Sequence, residues 1–496
     1  MAVVGVQGHL VEVEVDLAQG LPGLALVGLP DAALNEARDR VRAAITNSAL
    51  AWPQQRITVG LSPASLPKAG SGFDLAIAAG VLAARGDVPP ERVADQVLLG
   101  ELGLDGRVRA TRGVLPSVLA AVRAGRDRVI VPSANAQEAA LVPGVAVTAV
   151  ATLTGLVAVL RGESVGEPIP ARPVAETAPE ADLADVVGQD RGRLAVEVAA
   201  AGGHHLLLLG DPGAGKSMLA TRLPGLLPPL TDAEALEVSA VHSVAGQLPP
   251  SAPMVRRPPF RSPHHSATLP ALVGGGGGRA VRPGAVSLAH HGVLFLDEAP
   301  EFRAGVLDAL RQPLESGFVE VARAAVTARF PARVQLVLAA NPCPCASPQV
   351  ACVCGSAARR KYLGRLSGAL LDRVDMRVEV LPVSRGALLG DAGPVEDSAT
   401  VAVRVAAARA AAAERWRGTP WQRNADIPGS VLRGRRRLDP ATTAAAGRAL
   451  ERGQLTARGY DRVLRIGWTL ADLAGMTVPG RSQIDAALEL RRRVTA

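Results

Sequence analysis

Four consecutive leucines, Leu206-Leu207-Leu208-Leu209, run into a glycine-rich turn and then into a helix-forming stretch. An unbroken apolar run bounded by turn residues predicts a strand buried on both faces, as in a parallel sheet covered by helices. Comparable runs recur at 293–296 and 334–339, and residues 191–200 and 306–312 carry apolar positions at helical spacing. Strands alternating with helices predict a three-layer α/β module. The N-terminal third reads differently. Val11-Glu12-Val13-Glu14-Val15 alternates with period two, 36–45 is helical, 56–59 returns to strand, 74–79 reads as a buried helix, and 128–131 and 145–150 are further strands. That pattern predicts a separate mixed α/β unit. From about residue 398 the pattern turns helical, with segments at 402–415, 441–452 and 460–474.

These patterns divide the chain into an α/β domain at 1–162, a linker at 163–181 rich in Pro, Glu and Ala, an α/β core with insertions at 182–395, and a helical domain at 396–496. A length of 496 residues fits about three domains. Residues 223–290 form too long an excursion to be plain loop, which predicts inserted functional elements. Apolar residues make up 48% of the chain, enough for several cores, yet no run is long enough to span a bilayer and no basic-then-apolar leader is present. A cytoplasmic protein without membrane contact is expected.

The turn after the leucines carries the chemistry. Gly210-Asp211-Pro212-Gly213-Ala214-Gly215-Lys216-Ser217 is a complete Walker A loop in its strand-to-helix context. Its glycines let amides converge on phosphates, Lys216 is placed for the β/γ-phosphates, and Ser217 for Mg²⁺. Asp297 and Glu298 stand at the end of the apolar run 293–296, 81 residues beyond Lys216. Adjacent carboxylates are costly at a strand end unless a cation or substrate uses them. Asp297 suits the Mg²⁺ shell and Glu298 the polarisation of an attacking water. Together the two elements predict an ATP-hydrolysing core with ATP and Mg²⁺ as cofactors.

Further candidates are Asn341, after the run 334–339, as a γ-phosphate or water sensor, and Arg373, flanked by Asp372 and Asp375, as an arginine supplied to a neighbouring subunit. Arg458 is placed to reach back from the helical domain to the nucleotide, with Arg462 and Arg465 as alternatives. Cys343, Cys345, Cys352 and Cys354 fall within twelve residues. Four thiolates suit a structural Zn²⁺, although Cys-x-Cys pairs are tighter than the usual spacing, and clustered free thiols are the alternative. Seven of the eight histidines lie between His204 and His291, including the pair His264-His265 beside the flexible run Gly274–Gly278. The net charge of +8 rests almost wholly on arginine, since Lys68, Lys216 and Lys361 are the only lysines. Residues 401–496 hold 18 Arg against 8 Asp and Glu, a local +10. With the segment 256–265, this marks where a polyanion such as DNA would bind, or a merely solvated surface.

The motifs at 27–31, 260–265, 283–290, 293–302, 341–345 and 366–373, taken together, resemble the ComM/YifB family of magnesium-chelatase-like AAA+ ATPases over essentially the whole chain. The resemblance implies an N-terminal ChlI-like domain related to the Lon protease domain, an AAA+ module and a magnesium-chelatase-type helical domain. It also implies a homo-oligomeric, hexameric ring motor on DNA, single-stranded or branched and with little sequence preference, acting in branch migration during natural transformation. A magnesium-chelatase motor subunit or another AAA+ remodelling ATPase is the alternative. Protease activity is not expected, because Gly72 stands where the related serine would be, next to Ser71, and residues 106–115 supply no lysine.

Overall fold

The computed structural model describes residues 1–28, 30–68, 70–170, 181–249, 252–276, 281–323, 326–345, 347, 352–388 and 395–491. Most of the expected linker, the end of the glycine run beyond residue 276 and nearly all of the segment between the cysteine pairs lie outside these residues.

Five parallel strands form the central sheet, in the order Phe260–Arg261, Val293–Leu296, Gln335–Ala340, Leu206–Leu209, Met376–Glu379. Successive side chains on a strand face opposite ways, so each strand feeds two cores. Leu206 and Leu208 join Phe295, Val337 and Val378 on one face. Leu207 and Leu209 join Leu294, Leu296 and Leu338 on the other. The three-layer expectation holds. The reading at 306–312 is revised, since that stretch breaks into two short helices, Ala304–Asp308 and Arg311–Ser316. Beyond them an antiparallel hairpin, Phe318–Arg323 with Val326–Pro331, went unread in the sequence.

The N-terminal unit holds two three-stranded sheets. In one, Arg56–Ser62 pairs antiparallel with Glu12–Ala18 and parallel with Gly23–Val27. In the other, Arg128–Pro132 lies between Val97–Leu98 and Ala146–Val150, all parallel. This unit docks on the helix Asp232–Ala245. The buried Glu138 carboxylate accepts from Leu115 N (2.9 Å), from Asn135 Nδ2 (2.9 Å) and from the Ser243 hydroxyl on that helix.

The C-terminal helices Ser398–Arg415, Pro440–Glu451, Ala457–Leu473 and Arg481–Glu489 do not enclose a core of their own. Val401, Val405, Trp416, Ile466 and Trp468 belong to the same buried cluster as one face of the central sheet. Arg404 bridges to Glu197 (2.8 Å) and His204 meets Thr469 (2.8 Å), which fixes the helical unit to the sheet. Among the described residues, no helix is long and apolar enough to cross a membrane.

Candidate functional site

The leucine strand ends at Gly210, where a Cβ would stand 2.2 Å from the Val380 carbonyl oxygen. Only glycine fits between the loop and the neighbouring strand end. Gly213 and Gly215 take φ of 75° and 94°, in the left-handed region that disfavours side chains. These turns aim the chain into the helix Lys216–Leu226, whose free amides give an N-terminus suited to anions. Lys216 is buried and donates to Gly210 O (2.8 Å), Asp211 O (2.8 Å) and Asn341 Oδ1 (3.0 Å). Burial holds its ammonium below the usual lysine range, opposed by the charge of Asp297.

Sheet order explains the meeting with Asn341. The strand Gln335–Ala340 lies between the leucine strand and the strand Val293–Leu296, so Asn341 emerges between Lys216 and the acidic pair. Ser217 Oγ donates to Asp297 Oδ2 at 2.6 Å. Hydroxyl and carboxylate thus converge where an oxygen-seeking cation such as Mg²⁺ would take both. Asp297 Oδ1 accepts the amide of Glu298 (2.9 Å). Glu298 itself holds φ of 49°, a strained state for a residue with a side chain and one that gathers at functional sites. Its carboxylate lies 3.3 Å from His265 Nδ1, and the His265 ring packs 4.1 Å from that of His264. Gln189 was missed in the sequence: it is buried and donates to Ala214 O (2.9 Å) and Leu381 O (2.6 Å), bracing the loop. A lone glutamine at a helix start gave no signal.

The arginines gather elsewhere. Arg373, Arg458, Arg462 and Arg465 line one cavity of about 560 Å³, together with His205, Arg333 and Asp375. His205, Val334 and Asp375 precede three adjacent parallel strands, so this cavity lies at their amino ends, opposite the loop at their carboxyl ends. Arg458 therefore faces away from its own Walker A loop, which corrects the expectation that it reaches back to it. Helix Ala457–Leu473 docks against the start of the sheet, a placement set by packing far along the chain. Arg373 is not held by its flanking carboxylates. It donates to Ala369 O (2.6 Å) and pairs with Glu315. Asp375 instead binds Arg462 (3.0 Å) and the amide of His205 (2.9 Å), near His204. Although burial opposes it, this company holds the Asp375 carboxyl far below the usual range.

The four cysteine sulfurs lie within 4.8 Å of one another, with Cys343 3.0 Å from Cys345 and 3.3 Å from Cys352. Burial and neighbouring sulfurs push the Cys343 thiol up to about 12, while hydrogen bonding from Cys343 draws Cys345 down to about 6. Four sulfurs crowded this closely offer a donor set that a zinc-sized cation suits. Glu237, His290 and His291 also cluster. His290 Nδ1 accepts the Arg333 amide (3.0 Å), which leaves the proton on Nε2, facing Glu237 at 3.1 Å. That tautomer makes a hydrogen-bonded latch and offers a metal no lone pair. Ser71 donates to Glu101, and the fully buried Lys68 donates to Pro63 O. Lys361 is exposed on the helix Ser356–Leu363. Of the basic segment, Arg256 is paired with Asp232 (2.9 Å), and half-buried Arg261 donates to Gln247 (2.8 Å).

Residues 182–388 match the family model "Magnesium chelatase, subunit ChlI", residues 13–135 "Subunit ChlI of Mg-chelatase", and residues 395–491 "Magnesium chelatase, subunit ChlI C-terminal". The competence protein ComM of Haemophilus influenzae is 42% identical over 96% of this chain and 93% of its own length. The chain belongs to the ComM/YifB family of magnesium-chelatase-like AAA+ ATPases. YifB of Escherichia coli is 40% identical over 99% of this chain and 96% of its own length. The magnesium-chelatase 38 kDa subunit of Rhodobacter capsulatus is 28% identical over 62% of this chain and 86% of its own. Membership in the ComM/YifB family makes ATP and Mg²⁺ the cofactors implied for this ATPase.

Proposed function

We propose that the protein is a cytoplasmic, ATP-hydrolysing ring motor on DNA, assembled as a hexamer with each active site shared between neighbouring subunits. The observation that carries the reading is the partition of polar residues between the two edges of one sheet. Lys216, Ser217, Asp297, Glu298 and Asn341 meet at the carboxyl ends of the strands, while Arg373 and Arg458 open on the amino ends. A guanidinium so placed serves a nucleotide held by another copy. Lys216 binds the β/γ-phosphates, Ser217 and Asp297 hold Mg²⁺, Glu298 orients and polarises the attacking water, and Asn341 ties that water or the γ-phosphate to Lys216. The metal supplies neutralisation of phosphate charge. Arg373 stabilises charge on the transferring phosphoryl group, with Arg458 beside it. The cysteine cluster holds a structural Zn²⁺.

DNA as the substrate is supported by the relation to a competence protein and by the local +10 of residues 401–496. Aromatic residues are only 2% of the chain, so binding rests mainly on phosphates and is nearly blind to sequence. The test is ATP hydrolysis with single-stranded, duplex and branched DNA at low salt. Stimulation by single-stranded or branched DNA, falling steeply with added salt, is expected. No stimulation and no binding by any form would overturn the DNA reading in favour of a chelatase-type motor.

A further inference from the structure

The C-terminal helices carry a second concavity, on the other side of the helix Ala457–Leu473 from the arginine cavity. Its volume is about 640 Å³, and exposed Arg433, Arg437 and Arg448 line it together with Tyr460, Leu464 and one carboxylate, Glu451. The cationic lining begins in Arg433-Gly434-Arg435-Arg436-Arg437, four arginines in five residues. Like charges packed so closely repel one another, and few local acids relieve them. Arg433 pairs with Asp461 (3.0 Å) and Arg436 lies over the Trp416 ring (5.6 Å). Arg435, Arg437 and Arg448 are exposed and have no carboxylate partner among the described residues. Asp439 is occupied in capping the next helix, through Ala441 N. Gly447 faces the groove, and a Cβ there would meet nothing within 4 Å, so the space is open.

We propose that this groove binds the backbone of single-stranded nucleic acid, with phosphates on Arg437 and Arg448 and a base against Tyr460 and Leu464. The inference rests on the DNA reading above. A cationic rim over an apolar, aromatic floor is the arrangement that takes unpaired strands, because every base has an apolar face to bury and every nucleotide a phosphate. An unpaired base is free to turn its face to such a floor, whereas a duplex keeps its bases stacked inside. The helix Ala457–Leu473 also serves both cavities. Tyr460 and Leu464, four residues apart, face the groove, while Arg458, Arg462 and Arg465 face the arginine cavity. The Arg433–Asp461 pair joins the two rims. A strand seated in the groove thus lies one helix away from the arginines offered to a neighbour's nucleotide.

The test uses the full chain with a fluorescein-labelled thymidylate 20-mer, followed by anisotropy at several salt concentrations. In the double variant Arg437→Ser/Arg448→Ser, affinity at low salt is expected to fall at least about tenfold. The slope of log affinity against log salt should become shallower by about 1.4, two single-strand phosphate contacts. Basal ATP hydrolysis and the melting temperature should not change, and Arg437→Lys/Arg448→Lys should keep the parental slope. Parental affinity and slope in the serine variant would overturn the groove assignment while leaving the DNA reading intact. Equal losses for a duplex of the same length, or displacement of the 20-mer by polyglutamate at matched charge, would overturn its preference for single strands or for nucleic acid. No binding by the unaltered chain would overturn the groove and the DNA reading together.

Discussion

Mixing two inactive variants offers the sharpest test of a shared active site. Lys216→Ala empties the phosphate cradle at the carboxyl edge of the sheet, and Arg373→Ala removes the guanidinium at the amino edge. Because these edges are on opposite sides of one subunit, a junction works when one chain supplies Lys216 and its neighbour supplies Arg373. In rings formed at random from equal amounts of the two variants, about one quarter of junctions meet that condition. Removal of a trans arginine typically costs 10³–10⁵ in rate, so each variant alone should sit near background. The mixture should therefore hydrolyse ATP at about one quarter of the parental rate, far above either parent variant. Phosphate release measures the rate, and light scattering with a tagged copy verifies that the rings are mixed. A second pairing sharpens the logic: Arg373→Ala with Arg458→Ala should not recover, because both arginines come from the same edge of the same chain. Background activity in proven mixed rings of the first pairing would refute the shared site.

Glu298→Gln should bind ATP with parental affinity in equilibrium binding and lose turnover, since the amide keeps the shape but cannot polarise water; parental turnover would remove it as the base. Protein purified without added metal should carry about one zinc per chain by elemental analysis, lost in Cys343→Ser/Cys345→Ser and released by acid as the sulfurs protonate; a metal-free parent under reducing conditions would favour free thiols. Acid should destabilise the fold before most carboxylates titrate. Burial lowers His290 from 6.5 to about 4, so it stays neutral in the fold while the unfolded chain takes up a proton as pH drops below 6.5. Between pH 7 and 5 that costs about 2 kcal/mol, and His205, lowered likewise, adds to it. An unfolding midpoint unchanged over this range would show that His290 is not held neutral.

Much of the site was readable because its signals are local. A phosphate loop must be written as glycines, Lys216 and Ser217 in consecutive positions, and the apolar runs before Gly210 and Asp297 give away their strands. The strand Phe260–Arg261 was not legible, since two residues at a sheet edge leave no pattern. Nor was the hairpin after residue 317 read, although its arms alternate, with Val319, Val321, Ala328 and Phe330 buried between the exposed Glu320, Thr327 and Arg329; arms of six residues keep that pattern brief. The position of Arg458 depends on how Trp468, Ile466 and Val405 settle against the sheet, a decision made between segments hundreds of residues apart. Local spacing singled out Arg373 yet assigned it the wrong partner, because Glu315 comes from a helix 58 residues earlier. His265 beside Glu298 is the same kind of information: contact across adjacent strands, invisible to periodicity.

The scarcity of lysine has a practical side. Of the three ε-amines in the chain, that of Lys68 is sealed in the N-terminal unit and that of Lys216 is folded into the phosphate cradle. Lys361 alone reaches solvent, on a helix that follows the cysteine cluster and whose Arg359 touches the Cys352 sulfur at 3.5 Å. With the Met1 amine buried, a lysine-directed fluorophore or crosslinker on the native protein would thus mark chiefly one known position per subunit without any engineered residue. Around a closed ring those labels would form a regular polygon, and energy transfer between them would read its diameter directly as nucleotide comes and goes.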